Sequence, residues 1–410
     1  MIAQAPVEPR DGARLLVLAP SRAGPGPGLL EHRRFLDLPD YFESGDLLVL
    51  NETRVLPARL FGSKSGSGGR VEVLLLRPMA GEAPLDRTGA PAGEAPLDPT
   101  GAPAGEAPLD PAESWEWEAL VRPGRRVQTG TELLFDPPPA RTAGAGSDEV
   151  RSRPRETQIC PRLSGRVVGR TSAGGRRIVF RPGQAGETFA RIIEALGQPP
   201  LPPYITRPLT DPERYQTVFA RVRGSAAAPT AGLHFTPRIL ESLRQKGVSQ
   251  AMVTLHIGLD TFRPVREEEV ENHRMHSEWY EVPPETAQAI AACRARGGRV
   301  VACGTTVVRT LESAADPGGS GLVRAGSGRT RLFIYPGYSF GAVDAILTNF
   351  HLPRSTLLML VSAFGGRERV LAAYEEAARL GYRFYSLGDA MLVFPPSGGS
   401  WATNRTLGRS

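Results

Sequence analysis

Histidines are concentrated in the second half of this sequence, next to segments that have the pattern of buried strands. Five of the six histidines lie beyond residue 230, at His234, His256, His273, His276 and His351. A histidine titrates near neutral pH, and Glu278 is close to His276, so the pair could transfer protons. The alternative for any single histidine is a structural hydrogen bond to a backbone carbonyl. His273 and His276 have a spacing found in metal sites, but no HExxH motif or carboxylate triad accompanies them, and we predict no metal.

The segment 224–265 positions two of these histidines. Its first part is small and interrupted by proline, which favours a close-packed loop that brings Thr230 and His234 to a surface. Thr236 and Pro237 are typical of a helix start, because the threonine oxygen caps a free N–H and proline lacks the N–H that would be orphaned. Gly247 is typical of the helix end.

An alternating strand is predicted over 248–257, with His256 at its carboxyl end and a turn containing Asp260 and Thr261 just beyond. In open α/β sheets, the loops that leave the carboxyl ends of strands form the ligand crevice. We therefore expect a binding site at this edge of the sheet.

Two further segments repeat this layout of strand, polar residues and helix. In VVACGTTVVRTLES, Thr305 and Thr306 open a helix whose free N–H groups favour an anion, unless Thr305 is only a cap and Arg309 only pairs with Glu312. In LTNFHLPRST, Asn349 and His351 follow a strand. Asp389 lies in the SLGDAM turn near the end of the chain, where ordinary turn chemistry is the alternative. The common glycine-rich dinucleotide and nucleotide motifs and the GxSxG hydrolase motif are absent from the sequence.

Composition indicates a globular protein of two or three domains. The 410 residues are 40% hydrophobic and 22% charged, and no run approaches the apolar length of a membrane helix or a signal peptide. We therefore expect a cytoplasmic protein. The three cysteines suggest neither a disulfide framework nor a zinc site. The net charge of +6 permits a polyanionic partner.

The order of predicted elements indicates two architectures. Short alternating strands without helices, between residues 58 and 182, favour a small antiparallel β-barrel. Strands and helices alternate in the flanking parts, 1–57 and 183–410, and predict one discontinuous α/β sheet domain. The tandem GEAPLD repeat at 81–111 has little apolar bulk and is predicted to be disordered, and 137–161 to be a flexible insertion.

Ten segments spread along the chain carry a resemblance to a known family: NETRVLPARLFG, LPPYITRP, RYQTVFA, AAPTAGLHFT, TLHIGLDTFRPV, MHSEWYEV, GTTVVRTLES, LFIYPGY, TNFHLPRSTLLMLVSAF and YRFYSLGDAML. Together they closely resemble the S-adenosylmethionine:tRNA ribosyltransferase-isomerase family of queuosine biosynthesis. The resemblance implies an α/β domain with an inserted barrel and an enzyme of the cytoplasm. Three segments depart from the family pattern: the start at Met1, the repeat at 81–111, and the residues before LFIYPGY.

The resemblance also implies a reaction. S-adenosylmethionine would be the ribosyl donor, with no cofactor, and the acceptor would be 7-aminomethyl-7-deazaguanine in the wobble position of a tRNA. The products would be epoxyqueuosine, adenine and methionine, formed by a monomer. We predict proton transfer by His256, His276 and Glu278. Predicted substrate contacts are Arg207, Tyr215, Gln216, Thr230, His234, Asp260, Thr261, Thr305, Thr306, Arg309, Asn349, His351 and Asp389.

Two other classes of function remain open at this point. In the first, the chain is a relative of this family that acts on another S-adenosylmethionine or nucleoside substrate. Methyl transfer belongs to this class, although the sequence has no glycine-rich loop that would support a methyltransferase. The second is a tRNA-binding protein without enzymatic activity. Tyr204, Tyr215 and Phe219 alternate with arginines in the segment around Arg207, a mixture that suits an anticodon loop with splayed bases.

Overall fold

The structure is a computed structural model that describes residues 2–20, 29–79, 114–136, 162–171, 174–184, 187–207, 209, 211–258, 269–270, 273 and 275–396. The repeat at 81–111 and the insertion at 137–161 lie outside the described residues. The chain forms two compact units, Met1–Val55 with Leu201–Ser410, and Leu56–Pro200.

The described residues form mostly short β-strands, joined by loops and α-helices. In chain order the strands are β1 (Arg14–Ala19), β2 (Leu29–Arg34), β3 (Leu47–Asn51), β4 (Thr53–Val55), β5 (Arg59–Lys64), β6 (Arg70–Pro78), β7 (Trp115–Arg122), β8 (Glu132–Phe135), β9 (Leu163–Arg170), β10 (Arg176–Pro182), β11 (Gly197–Gln198), β12 (Val222–Ser225), β13 (Ser249–Leu255), β14 (Glu278–Val282), β15 (Val300–Cys303), β16 (Gly326–Thr330), β17 (Ala345–Asn349) and β18 (Ala390–Val393). The α-helices are α1 (Phe189–Leu196), α2 (Pro237–Gln245), α3 (Pro284–Ala295), α4 (Thr305–Ala314), α5 (Thr356–Gly365) and α6 (Arg367–Arg379).

A nine-stranded mixed sheet organises the first unit, in the order β16-β14-β13-β3-β15-β17-β18-β1-β2. Its four central strands, β13, β3, β15 and β17, are mutually parallel. Their carboxyl ends therefore meet at one edge of the sheet, where ligands bind in open α/β folds. On either side the pairing becomes antiparallel, between β13 and β14 and between β17 and β18.

Both faces of this sheet are buried, which explains why the central strands β3 and β15 are almost continuous apolar runs. Leu16 and Leu18 belong to one buried cluster with side chains of α3, α4, α5 and α6. Leu15 and Val17, which alternate with them along β1, belong to the cluster on the other face with side chains of α2. None of the helices in the described ranges is long and apolar enough to cross a membrane.

The second unit is a closed antiparallel barrel. Its strands follow the order β11-β5-β6-β7-β10-β9-β8, and an additional pairing between β5 and β8 closes the ring. Helix α1 packs into the barrel core through Phe189, Ile192 and Ile193. The predicted fold class, an α/β sheet domain with an inserted small antiparallel β-barrel, is confirmed.

The unit boundaries differ in detail from the predicted ones. The sequence placed the insertion at 58–182, whereas the compact unit continues to Pro200. The reason is that the apolar face of α1 is buried in the barrel core and not in the large sheet. A helix following a barrel strand gives no local indication of which core it joins.

Candidate active site

A pocket of about 130 Å³ lies at the carboxyl edge of the parallel strands. It is lined by residues that follow β13, β15 and β17, by the turn before α2, and by a segment before β18. The polar lining residues are Tyr204, Thr230, Thr305, Thr306, Thr348, Asn349, His351, Ser355, Tyr385 and Ser386. The structure thus brings together five of the predicted substrate contacts, Thr230, Thr305, Thr306, Asn349 and His351.

Asn51, the last residue of β3, forms hydrogen bonds with several residues at this edge of the sheet. Its Nδ2 donates to the carbonyl of Leu255 at 3.0 Å and to the hydroxyl of Thr306 at 3.3 Å. Its Oδ1 accepts from the backbone N–H groups of Thr53 and Leu255. One buried side chain therefore fixes the ends of β3 and β13 relative to the start of α4.

The start of α4 faces the pocket. Gly304 has a φ of +94°, a conformation that favours glycine, and the helix begins directly after it at Thr305. The first N–H groups of a helix have no partner within the helix, and they carry its positive dipole end. Because Gly304, Thr305 and Thr306 all line the pocket, its wall includes a site suited to an anion.

Two hydrogen-bonded pairs form another part of the wall. The hydroxyl of Thr230 donates to Oδ1 of Asn349 at 2.8 Å, and the hydroxyl of Thr348 lies 2.8 Å from Nε2 of His351. Burial lowers the pKa of His351 to about 3, so this imidazole is neutral at physiological pH. His351 therefore contributes a dipole to the pocket and no charge.

His256 lies beside the pocket, directly before the lining residue Ile257. Its Nδ1 is 2.8 Å from the hydroxyl of Thr53, and its ring stacks on Trp279 with centroids 5.2 Å apart. Its Nε2 is buried and has no hydrogen-bond partner within the described part of the chain. Burial lowers the pKa of His256 to about 3. The imidazole is thus neutral and enclosed at both nitrogens.

Gly224 sets the space available to this ring. It has a φ of +149°, and a Cβ added there would lie 2.5 Å from Nε2 and 2.6 Å from Cε1 of His256. These distances are shorter than any real contact, so glycine is required at this position for the observed placement of His256.

Glu278, the first residue of β14, is the centre of a buried ionic cluster. Its Oε1 lies 3.0 Å from Nε2 of His276 and accepts from the N–H of Gly258, and its Oε2 is paired with Nη1 of Arg309. Burial by itself raises the pKa of this carboxyl, but the charge of Arg309 and the hydrogen bonds of His276 and Gly258 outweigh it and lower the pKa to about 2.

This cluster limits what each member can do chemically. A carboxylate with a pKa near 2 is a poor base at neutral pH, so Glu278 is suited to orient its partners. Its hydrogen bond with His276 favours the tautomer protonated at Nε2, which makes Nδ1 the accepting nitrogen. Arg309 also donates from Nε to the carbonyl of Leu332. The sequence alternative, a pair between Arg309 and Glu312, is not formed, because Glu312 accepts from Tyr338 and from two backbone N–H groups.

The ion pair gives the free energy of unfolding a pH dependence with a defined sign. The folded-state pKa of Glu278 is about 2 and the unfolded value is about 4.3, so the charged group stabilises the fold above about pH 4 and this contribution is lost as the pH falls through 2. We expect about 3 kcal/mol at pH 7 and about half of that at pH 3. Urea unfolding of the wild type and of Glu278→Gln should show a difference that narrows between these pH values. An equal difference at both would contradict this assignment.

The structure places four other predicted contacts inside the protein. Tyr215 is fully buried in an apolar cluster, and Gln216 exchanges two hydrogen bonds with the backbone of Val55. The ring nitrogens of His234 face the carbonyls of Ala231 and Gly388, the structural alternative considered for a histidine. Asp389 accepts hydrogen bonds from Arg14 and from the N–H of Arg383. None of these four side chains lines the pocket, and those of Gln216, His234 and Asp389 have internal hydrogen-bond partners.

Three further residues were predicted to contact the substrate. Arg207 is exposed and outside the pocket lining. Asp260 and Thr261 lie outside the described residues. Among the residues that are described, no group of histidine, cysteine or acidic side chains is arranged to hold a metal ion.

Several site residues were not identified from the sequence. Thr53 and Gly224 hold the ring of His256, and Tyr385 and Ser386 line the pocket. Thr53 could have been identified as a site residue from its position just beyond a buried apolar strand. Gly224 could not, because its contact with His256 is formed only in the folded chain.

Comparisons with known proteins find a matching family model and similar relatives. The family model of the queuosine biosynthesis protein matches residues 1–393. A relative from Moorella thermoacetica, named S-adenosylmethionine:tRNA ribosyltransferase-isomerase, is 52% identical over 96% of this chain and 96% of its own. A relative of the same name from Symbiobacterium thermophilum is 49% identical over the same shares.

A solved structure is also similar in sequence. The crystal structure of S-adenosylmethionine tRNA ribosyltransferase from Thermotoga maritima is 35% identical over 96% of both chains, with a TM-score of 0.45. The extent of the family match and the identity to the curated relatives together show that this chain belongs to the queuosine biosynthesis protein family.

Proposed function

We propose that this chain is a ribosyltransferase-isomerase that transfers the ribosyl part of S-adenosylmethionine to 7-aminomethyl-7-deazaguanine in the wobble position of a tRNA. The observation that carries the proposal is the pocket at the carboxyl edge of β13, β15 and β17, next to His276, which is hydrogen-bonded to Glu278, in a chain of this family. The pocket supplies a binding site, and the cluster supplies a group for proton transfer.

The reaction needs a base, because the sulfonium acidifies the adjacent C5′ hydrogens of the donor. Loss of a C5′ proton gives an ylide that opens the ribose and expels adenine. The amine of the acceptor then attacks, and an epoxide closes as methionine leaves. The products are adenine, methionine and a tRNA that carries epoxyqueuosine.

Of the three residues predicted for proton transfer, His276 best fits the role of base. It is partly exposed, and its hydrogen bond to Glu278 through Nε2 orients the ring. Glu278 acts by orientation because its pKa is about 2. His256 is assigned to shaping the site, since both of its ring nitrogens are enclosed.

Product analysis tests the proposal. Purified protein should convert S-adenosylmethionine and precursor tRNA to adenine and methionine in equal amounts, with a matching mass gain in the tRNA. Adenosylhomocysteine as product would instead indicate methyl transfer. Adenine without modified tRNA would indicate another acceptor, and tRNA binding without any product would indicate a non-enzymatic binder. We further propose that the protein acts as a monomer in the cytoplasm, where its tRNA substrate is found.

The tRNA contact predicted at Arg207 has its own test. Arg207 is exposed, so its guanidinium is accessible to a backbone phosphate, and each such contact releases counterions. We expect Arg207→Ala to weaken tRNA binding severalfold and to reduce the slope of log K against log salt by about 1. Arg379→Ala, which removes the same charge from α6, is the matched control. Unchanged affinity and slope in Arg207→Ala would remove this residue from the interface.

A further inference from the structure

The pocket combines the start of α4 with a buried amide that lacks a partner. Asn349 is 2% exposed, and its Oδ1 accepts from Thr230. Its Nδ2 has no hydrogen-bond partner within the described ranges. Buried donors in folded proteins are almost always satisfied, so an unmet one on a pocket wall indicates a ligand acceptor.

The backbone leaves room for such a ligand at the same place. Gly304 precedes α4, and its N–H donates to the carbonyl of Leu347 at 2.7 Å, which holds the helix start against β17. A Cβ on Gly304 would stand between Thr306 and Ala231, at 3.6 and 3.7 Å from their nearest atoms. Both of those residues line the pocket, so the absence of a side chain at Gly304 keeps the approach to the helix start open.

The charge of the pocket narrows the class of ligand. None of the described residues that line it is Asp, Glu, Lys or Arg. A phosphate dianion generally recruits arginine or lysine, whereas a helix start and one amide together match a single negative charge. A carboxylate fits this set of donors, and it is the only anionic group of S-adenosylmethionine.

We propose that the start of α4 and Nδ2 of Asn349 bind the α-carboxylate of the methionine part of S-adenosylmethionine. This proposal rests on the proposed function, since it takes S-adenosylmethionine as the donor. Thr230 is the positioning residue, because its hydroxyl occupies Oδ1 and leaves Nδ2 to face the ligand.

Calorimetric titration with three probes tests the proposal: S-adenosylmethionine, its decarboxylated form, and 5′-methylthioadenosine, which has neither the carboxylate nor the amine. We expect the wild type to bind S-adenosylmethionine about ten to a hundred times more tightly than the decarboxylated form. Asn349→Asp keeps an acceptor for Thr230 but places a negative charge at the ligand. In this variant the preference should vanish or reverse, and the affinity for 5′-methylthioadenosine should stay the same.

Ser386→Ala is the matched control, because Ser386 lines the same pocket but is paired with the hydroxyl of Tyr204. It should leave the ratio between the first two probes unchanged. Equal binding of these probes to the wild type would overturn the carboxylate proposal and leave the proposed function standing. A loss of 5′-methylthioadenosine binding in Asn349→Asp equal to that of S-adenosylmethionine would also overturn it, since the site would then recognise adenine. If S-adenosylmethionine does not bind to the wild type, both proposals fall.

Discussion

Glu278→Gln is expected to destabilise the protein by about 3–5 kcal/mol and to lower kcat about a hundredfold or more. The stability loss follows from burial. Arg309 is 5% exposed, and without the carboxylate its charge would remain in the interior with no counterion at that position. The activity loss follows because His276 would lose the acceptor that sets its tautomer and orientation.

Steady-state kinetics and urea unfolding measure both effects. KM for S-adenosylmethionine should change little, because Glu278 is not among the pocket-lining residues. Glu281→Gln is the matched control, since it makes the same change on the same strand at a partly exposed position. Activity within a fewfold of the wild type in a folded Glu278→Gln protein would rule out His276 with Glu278 as the proton-transfer pair.

Gly224→Ala is expected to displace the ring of His256 and to destabilise the fold by several kcal/mol. Two costs add together. The backbone at a φ of +149° strains any L-residue by about 1–3 kcal/mol, and the new Cβ would overlap Nε2 of His256 at 2.5 Å. The ring has little room to move, because Trp279 covers one face and Thr53 holds Nδ1.

The two costs can be separated by experiment. Gly326 has a similar φ of +139°, but a Cβ there would meet no atom within 4 Å, so Gly326→Ala reports the backbone strain alone. The excess loss in Gly224→Ala then measures the overlap with His256. In the double variant Gly224→Ala with His256→Ala, the excess should largely disappear, as a double-mutant cycle would show. Equal losses at the two glycines would mean that the ring moves aside freely.

The central part of the fold was predictable from local pattern. The short apolar runs of β3 and β15 predict strands that are buried on both faces, and the alternation over 248–257 predicts β13. Neither inference needs knowledge of neighbouring strands. Helix α2 was equally clear, because Thr236 caps the N–H of Ile239 and Gly247 adopts a positive φ.

The periphery was less predictable because its strands depend on their partners. The apolar segment 332–335 has a composition that favours a strand, but it is not among the strands of the described residues, and the glycine-rich segment of β16 pairs with β14 instead. β2 was missed, since it is an edge strand with mostly charged or exposed residues. In both cases the pairing is decided by an available neighbouring edge and not by the hydrophobicity of the segment.

The residues of the candidate site also divide into those that the sequence predicts and those that it does not. Thr305, Asn349 and His351 could be grouped in advance because each lies at or just beyond the carboxyl end of a strand in the parallel part of one sheet. Tyr215 and Asp389 have similar local sequence signals, yet the ring of Tyr215 is buried in an apolar cluster and the carboxylate of Asp389 accepts hydrogen bonds within the fold. Whether a polar residue meets a ligand or another part of the chain is decided by long-range packing, which one sequence does not display.

The strand order of the large sheet also constrains how the protein is made on the ribosome. β3 lies between β13 and β15, so both of its partners are synthesised only after the whole barrel unit. β1 can pair early with β2, but its second partner, β18, is the last of the described strands. The barrel strands, by contrast, lie within one continuous segment. We therefore expect the barrel to fold first, while the apolar residues of β3 stay exposed until the later strands emerge. During that interval the nascent chain is most open to aggregation and to binding by chaperones.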